Sequence, residues 1–194
     1  MTERISGDYD GIILGAGHNS LILQAYLCRA GLRVLCIERR DRTGGGLETI
    51  ENPKFSGFRH NTHSFYHRAV NLMPWYKDLE LESQGAVYLE PELNVAMLLK
   101  NGETLEWWTD FEKMVDSFAQ FSPKDALTLR RWREIFLPIV EKILIPEAQG
   151  PPLSFERRKK LLERCPEGRL LLDVSKLSPL GFVLNEFEHP VIQA

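Results

Sequence analysis

A glycine-rich turn between an apolar run and an amphipathic run constrains this chain more than any other feature. Residues 9–14 (YDGIIL) are apolar and partly β-branched, which predicts a buried strand that ends at Gly15. Residues 18–30 carry apolar side chains at helical spacing, and residues 33–38 (RVLCIE) predict a second strand. A strand, a tight turn, a helix and a strand in this order predict a βαβ unit with parallel strands and a right-handed crossover.

The residues of the turn have the properties that a bound pyrophosphate requires. Gly15 permits the sharp turn, and Gly17 has no Cβ, so a phosphate can approach its backbone closely. The first N–H groups of the helix then face the anion, where the helix dipole also favours negative charge. Ser20 stands where the usual fingerprint has a third glycine, which predicts a slightly wider contact between helix and strand. We therefore predict a dinucleotide site whose first turn comprises Gly15, Ala16, Gly17, His18, Asn19 and Ser20.

An acidic residue ends the second strand at the spacing expected of a ribose ligand. Glu38 follows the first turn by the roughly 20 residues that separate the phosphate-binding glycines from the carboxylate that binds an adenosine ribose. Because Glu38 would repel the 2′-phosphate of NADP, the two arginines that follow are not assigned to such a phosphate. We expect Arg39 to contact the adenine side of the dinucleotide and Arg40 to be solvated.

A second glycine cluster, Gly44, Gly45 and Gly46, follows six positions after Glu38. Such a cluster has no role in a plain nicotinamide-binding fold. The spacing resembles that of the glutathione-reductase-like flavoproteins, and this resemblance implies a second approach of the backbone to the cofactor, which favours FAD.

The remainder of the chain predicts a hairpin followed by helices. Residues 94–108 predict two strands joined by a type I′ turn at Asn101-Gly102. Thr109 with Glu112 predicts a capping box. Ser122 before Pro123 and Ser178 before Pro179 predict two further helix starts. Residues 43–76 lack periodicity and predict loops, the run 149–152 predicts a linker, and residues 155–164 and 179–188 predict two shorter helices.

Composition excludes several classes of protein. The net charge of −3 provides no basic excess for nucleic acid, and no apolar run approaches the roughly 18 residues that span a bilayer. The first ten residues lack the features of a signal peptide, so a cytoplasmic chain is expected. The three cysteines show no metal-ligand spacing and predict small buried side chains: Cys28, Cys36 and Cys165.

Three motifs together resemble a known family of flavoproteins. GAGHNSL, IERRDRTGGG and FSGFRHNTHSFYH are similar to segments of the phytoene-dehydrogenase-like FAD-dependent oxidoreductases, within the branch of carotenoid ketolases and pyridine nucleotide-disulphide oxidoreductase domain-containing protein 2. The spacing from Glu38 to Gly44 is also typical of glutathione-reductase-like flavoproteins. The resemblance covers most of the chain and is sharpest over residues 9–67.

The resemblance implies an α/β fold with a Rossmann-like FAD-binding segment over residues 1–75. A hairpin and a mainly helical substrate-side region would occupy residues 76–194. It implies oxidation or desaturation of an apolar, carotenoid-like or lipid-like substrate by hydride transfer to the flavin, without a catalytic triad. No catalytic residue is assigned. Since family members are longer, the chain is expected to be an N-terminal part, with a second chain or the missing C-terminal half as partner.

Two other functions are compatible with the sequence. One is an NAD(P)-dependent dehydrogenase that uses the same βαβ unit, and the other is a truncated, inactive paralogue that acts as a binding or assembly module. Peripheral contact with a membrane also stays open. The histidines His60, His63 and His67 could orient a substrate or hold backbone carbonyls, and we predict no metal site. The many aromatic residues between 75 and 121 fit either a protein core or an apolar tunnel.

Overall fold

The computed structural model describes residues 7–64, 66–67 and 69–194, and the chain divides into two compact units. The first unit ends at Ala86, and the second spans Val87–Ala194. All predicted cofactor-binding residues lie in the first unit. The functional division expected between residues 75 and 76 stays a prediction, and Phe65, within one of the family motifs, lies outside the described residues.

The first unit contains the predicted βαβ arrangement. Strand β1 (Gly11–Leu14) leads into helix α1 (His18–Arg29), and strand β2 (Val34–Ile37) lies parallel to β1 in a two-stranded sheet. The Gly15 N–H donates to the carbonyl oxygen of Ile37 at 2.7 Å and extends the pairing to the glycine turn. The structure therefore confirms the predicted α/β fold class.

Helix α1 packs against the sheet, but apolar side chains remain exposed on the strands. The Gln24 side chain of α1 donates to the carbonyl oxygen of Val34 at 3.1 Å. Ile12, Leu14 and Ile37 are nevertheless 61%, 80% and 47% exposed. Parallel strands are normally covered on both faces, so this apolar surface is unusual for such a sheet.

Residues 43–76, predicted as loops, contain regular structure. A 3₁₀ turn at Gly45–Leu47 precedes an antiparallel pair, β3 (Thr49–Glu51) with β4 (Arg59–Asn61). A short helix, α2 (Pro74–Asp78), follows. The prediction was wrong because polar contacts rather than apolar periodicity order this segment. The Asn52 side chain accepts two N–H bonds in the β3–β4 connection, and the Glu51 carboxylate accepts two further bonds there.

A second antiparallel pair opens the second unit, with a turn that differs from the predicted one. Strand β5 (Leu93–Leu98) pairs with β6 (Thr104–Trp108). The N–H of Gly102 donates to the Leu99 carbonyl oxygen at 3.0 Å. Among the described residues of this turn, only Gly102 has a positive φ, which is 89°. The hairpin thus has a three-residue loop that ends in a left-handed glycine, not a type I′ turn. A type I′ turn would require a positive φ at Asn101 as well.

The rest of the second unit is helical. Its described helices are α3 (Phe111–Phe121), α4 (Pro123–Ile139), a π-helical turn (Val140–Leu144), α5 (Ile145–Ala148), α6 (Phe155–Leu162), α7 (Pro166–Val174), α8 (Pro179–Glu186) and α9 (Pro190–Gln193). Helices α7 and α9 were not expected from the sequence.

The helix caps agree with the sequence at two positions and differ at a third. The side chains of Ser122 and Ser178 accept N–H bonds at the starts of α4 and α8, as their position before a proline predicts. The cap of α3 is Asp110, which accepts bonds from the N–H groups of Glu112 and Lys113. The prediction of Thr109 as the cap was wrong, because its hydroxyl donates instead to the carbonyl oxygen of Pro91.

Two apolar clusters form the core of the second unit. One surrounds Phe118 and Leu105, which are 2% and 1% exposed, and the other surrounds Ile139, which is fully buried. The Trp107 ring meets the Phe118 ring edge-on at 5.1 Å. Phe118 therefore belongs to the core, whereas Trp107 packs on it from the surface and is 42% exposed.

The cysteines are free thiols, and the expectation that they are buried was wrong. Cys28 is exposed on α1, a helix that has no buried residue. Cys165 is half-buried and serves as the N-cap of α7, where its sulphur accepts the Gly168 N–H at 3.4 Å.

Across the described ranges, no helix has both the length and the apolar content that a membrane span requires.

A buried carboxylate fixes the last residues of the chain. Asp125, near the start of α4, is 1% exposed and accepts bonds from the N–H groups of Glu188 and His189, the shortest being 2.9 Å. The neighbouring Lys124 forms an ion pair with the Glu188 side chain at the exposed surface.

We predict that Asp125→Ala lowers the free energy of unfolding by about 1–3 kcal/mol, because it removes a buried acceptor and leaves two partly buried N–H groups without their partner. Urea unfolding followed by circular dichroism measures this loss. Lys124→Ala removes only the exposed ion pair and should cost less than about 1 kcal/mol. Equal losses in the two variants would contradict the role assigned to Asp125.

Candidate dinucleotide-binding site

The first glycine turn leaves open space where a phosphate would lie. Gly15 has a φ of 92°, a conformation that side chains other than glycine rarely adopt. Gly17 has a φ of −72°, so any residue could adopt its backbone conformation. A Cβ added at Gly15 or at Gly17 would meet no atom within 4 Å. The chain itself therefore leaves the space above both glycines empty.

Helix α1 begins at this turn with its N–H groups directed away from the helix body. Gly17 is the N-cap and has no side chain with which to satisfy them. The first intrahelical bond runs from the Leu21 N–H to the carbonyl oxygen of Gly17. The N–H groups of His18, Asn19 and Ser20 consequently have no acceptor inside the helix. The first turn also carries no acidic residue that would repel an anion.

The Glu38 carboxylate connects the second strand to the glycine turn. One oxygen, Oε2, accepts the Ala16 N–H at 2.7 Å, and Oε1 accepts the Arg40 N–H at 3.0 Å. These bonds, with that of Ala16 the strongest influence, hold the pKa of the Glu38 carboxyl below its ordinary value. Glu38 is therefore ionised and held beside the turn, the position expected of a ribose ligand.

The second glycine cluster packs directly on the first. The Gly44 N–H donates to the carbonyl oxygen of Ala16 at 2.8 Å, and Gly44 and Gly17 form a parallel bridge. Gly45 has a φ of 61°, and a Cβ there would lie 3.0 Å from the Cα of Gly17. A Cβ at Gly46, in contrast, would meet nothing within 4 Å. These glycines thus allow a close approach between two turns of the chain. The expected approach of the backbone to a cofactor is a separate contact.

A buried acid that no sequence motif indicated lies beside the site. Glu48 is 4% exposed and forms ion pairs with Arg40 at 2.7 Å and with Arg42 at 3.1 Å. Arg40 is therefore paired rather than fully solvated, which corrects the sequence-based expectation. The sequence contained one usable signal, an acid soon after a run of arginines. Arg39 is exposed, and its contact with adenine stays a prediction.

The histidines do not converge on one centre. His60 lies on β4, where its Nε2 is 3.2 Å from the amide nitrogen of Asn52. The Nδ1 of His63 is 2.8 Å from the Thr62 hydroxyl. Within the described part of the chain, no group of three or more histidine, cysteine or acidic side chains could hold a metal ion.

Comparison with known proteins assigns this region. Residues 13–79 match the model of the NAD(P)-binding Rossmann-like domain. The first unit contains a Rossmann-like dinucleotide-binding domain. The matched residues include the glycine turn, Glu38 and the second glycine cluster. Such a domain is consistent with FAD as the cofactor.

Curated relatives match most of the chain. It is 41% identical over 189 residues to a limonene dehydrogenase subunit of Castellaniella defragrans, an alignment that covers 95% of this chain and 33% of that protein. It is 32% identical over 191 residues to pyridine nucleotide-disulfide oxidoreductase domain-containing protein 2 of Mus musculus, covering 91% of this chain and 30% of that protein. The chain thus spans about a third of the length of these relatives, which are oxidoreductases by name.

A solved structure covers the same extent of the chain. A putrescine oxidase variant with redesigned cofactor binding aligns with 95% of this chain and 35% of its own, at a TM-score of 0.44 and 19% identity.

The site residues fit the adenosine-diphosphate portion of a dinucleotide. Binding of this portion requires three features, and the site has each of them. They are open space over two glycines, a helix N-terminus whose N–H groups have no acceptor in the helix, and an ionised carboxylate at the end of the strand.

We predict that Gly45→Ala destabilises the first unit whereas Gly46→Ala does not. The left-handed conformation at Gly45 costs an alanine about 1–2 kcal/mol, and its Cβ would press on Gly17. Thermal unfolding of the two variants measures the difference. An equal effect of the two substitutions would contradict the packing of the second turn on the first.

We also predict that the turn loses its carboxylate bond only under acidic conditions. Because the folded-state pKa of Glu38 is lowered, its stabilising contribution is present above the unfolded value of about 4.3 and is lost as the pH falls through the folded value. The amide resonance of Ala16, followed by NMR during acid titration, should shift with a midpoint below about 4.3. In Glu38→Gln this shift should be absent. A midpoint at or above the ordinary value would contradict the assigned bond.

Proposed function

We propose that this chain provides the dinucleotide-binding part of an FAD-dependent oxidoreductase that acts on an apolar substrate. The observation that carries the proposal is the contact between the two glycine turns. Gly44 bonds to Ala16, and Gly45 lies against Gly17, while the space over Gly15 and Gly17 stays open. This arrangement supports a cofactor whose pyrophosphate lies over the first glycine turn. The next part of the cofactor would then pass the second glycine turn.

The residues of the chain have binding roles in this proposal. The N–H groups of His18, Asn19 and Ser20 hold the pyrophosphate, and Glu38 accepts hydrogen bonds from the ribose hydroxyls. Gly45 and Gly46 are both exposed, but only at Gly46 would an added Cβ meet nothing within 4 Å, so Gly46 is the one free to approach the cofactor. FAD held by these residues would supply the redox chemistry, a hydride acceptor for the substrate. No side chain of this chain is assigned a proton transfer.

The class of substrate rests on similarity. The relative with 41% identity is, by its name, a dehydrogenase subunit for limonene, which is an apolar hydrocarbon. This supports an apolar substrate for the complete enzyme. A carotenoid-like or lipid-like substrate, as in the phytoene-dehydrogenase-like enzymes, is the finer form of the proposal.

The exposed strands support a partner for this unit. Ile12, Leu14 and Ile37 form an apolar surface on a parallel sheet, and such sheets are stable when both faces are covered. Further protein, either a second chain or an additional stretch of a longer one, would cover this surface. The match to about a third of a protein named as a subunit agrees with this.

We predict that Gly17→Ala weakens FAD binding without loss of stability. The added Cβ meets nothing within 4 Å in the protein, and the φ of −72° suits alanine, so only a ligand over the turn would contact it. FAD affinity, measured by quenching of flavin fluorescence, should fall by roughly tenfold or more, equivalent to about 1.4 kcal/mol.

Gly11→Ala is the matched control, because a Cβ at Gly11 also meets nothing within 4 Å and Gly11 lies outside the proposed site. It should bind FAD like the wild type. Unchanged FAD affinity in Gly17→Ala, or a preference of the wild type for NAD over FAD, would count against the proposed function.

A further inference from the structure

A closed ring of contacts surrounds the first glycine turn and passes through Glu48. Ala16 bonds to Glu38, whose other oxygen accepts the Arg40 N–H. The Arg40 guanidinium pairs with the Glu48 carboxylate, and the Glu48 N–H donates to the Gly45 carbonyl oxygen at 3.3 Å. The ring closes through the second glycine turn, which bonds back to Ala16.

Within this ring, Glu48 is the residue whose carboxylate pairs with the arginine side chains of the loop after β2. Its carboxylate is 4% exposed, whereas the side chains of Arg40 and Arg42 are 52% and 45% exposed. Each arginine therefore has room to point into solvent, and the pairing with Glu48 holds both toward the protein. Arg42 also pairs with Asp41 at 3.2 Å, so without the Glu48 carboxylate the side chain of Arg40, two positions after Glu38, would be released and Arg42 would keep one partner.

The position of these cations matters for the choice of dinucleotide. A carboxylate at the end of the second strand binds a free ribose 2′-hydroxyl, whereas a nearby arginine accommodates a 2′-phosphate. In this chain the two kinds of residue are adjacent, because the backbone of Arg40 is bonded to Glu38 itself. The direction of the Arg40 side chain therefore decides whether its cation faces the ribose end of the site.

We propose that Glu48 is a specificity-determining residue that withdraws Arg40 and Arg42 from the ribose end of the site. The site thereby accepts an adenosine dinucleotide with a free 2′-hydroxyl and rejects one with a 2′-phosphate. Glu48 acts through the two arginines and does not itself contact the ligand. This inference rests on the proposed function, since it concerns the same site.

The test compares two probes, ADP-ribose and 2′-phospho-ADP-ribose, by NMR titration of the full chain. The wild type should bind ADP-ribose and discriminate against the 2′-phosphorylated probe. In Glu48→Gln the ratio of the two affinities should shift toward the 2′-phosphorylated probe by roughly tenfold, the effect of one charge-assisted hydrogen bond to a phosphate. Binding of that probe should also become more sensitive to salt, because the new contact is ionic.

Two further variants separate the role of the arginines from a change in net charge. Glu163→Gln removes the same charge from a half-exposed residue of the second unit and should leave the ratio unchanged. The double variant of Glu48→Gln and Arg40→Ala should lose most of the affinity for 2′-phospho-ADP-ribose that Glu48→Gln alone gains. Arg40→Ala alone keeps Glu48 and should bind both probes like the wild type, which provides a test even where Glu48→Gln unfolds.

The outcomes distinguish this inference from the proposed function. Failure of the wild type to bind either probe overturns both. Binding of ADP-ribose with a ratio that Glu48→Gln does not change overturns the role of Glu48 and leaves the dinucleotide site in place. A loss of affinity for the 2′-phosphorylated probe in Arg40→Ala alone would show that Arg40 already faces the ligand, which also overturns the inference.

Discussion

The contact between Gly17 and Gly45 is the constraint on which the site depends. A Cβ at Gly45 would lie 3.0 Å from the Cα of Gly17, so only glycine brings the two turns this close. This approach places the Gly44 N–H on the Ala16 carbonyl oxygen and joins a segment near β2 to the start of α1. The first turn is thus supported by the chain on one side and open on the other.

Charge around this turn is arranged so that each carboxylate has a defined partner. Glu38 accepts two backbone N–H groups, which keeps it ionised beside a helix start that attracts anions. Glu48 pairs with Arg40 and Arg42, and Asp41 also pairs with Arg42, so the two arginines of this loop are balanced by two carboxylates. The N–H groups at the start of α1 and the exposed Arg39 are the groups that attract an anion near Glu38 in the proposed site.

The two units differ in how completely they bury apolar surface. The second unit has its own core around Phe118 and Ile139 and fixes its last residues through the buried Asp125. In the first unit, β1 and β2 expose Ile12, Leu14 and Ile37, and α1 has no buried residue. This exposed apolar surface on a parallel sheet is the observation on which the proposed partner rests.

Local patterns in the sequence were sufficient for the βαβ unit, the glycine turn, the caps at Ser122 and Ser178 and the position of Glu38. Each depends on residues close together in the chain, whose preferences act before any packing. The β3–β4 pair depends on polar bonds that carry no apolar periodicity, and its prediction therefore failed.

The sequence by itself determined which backbone positions could turn sharply and where an acid would end the second strand, because glycine and strand propensities are local properties. Tertiary structure alone decided that the two glycine turns touch, that Glu48 is buried between Arg40 and Arg42, and that Cys28 is exposed. These results depend on which distant segments meet, and burial and ion pairing arise only when they do.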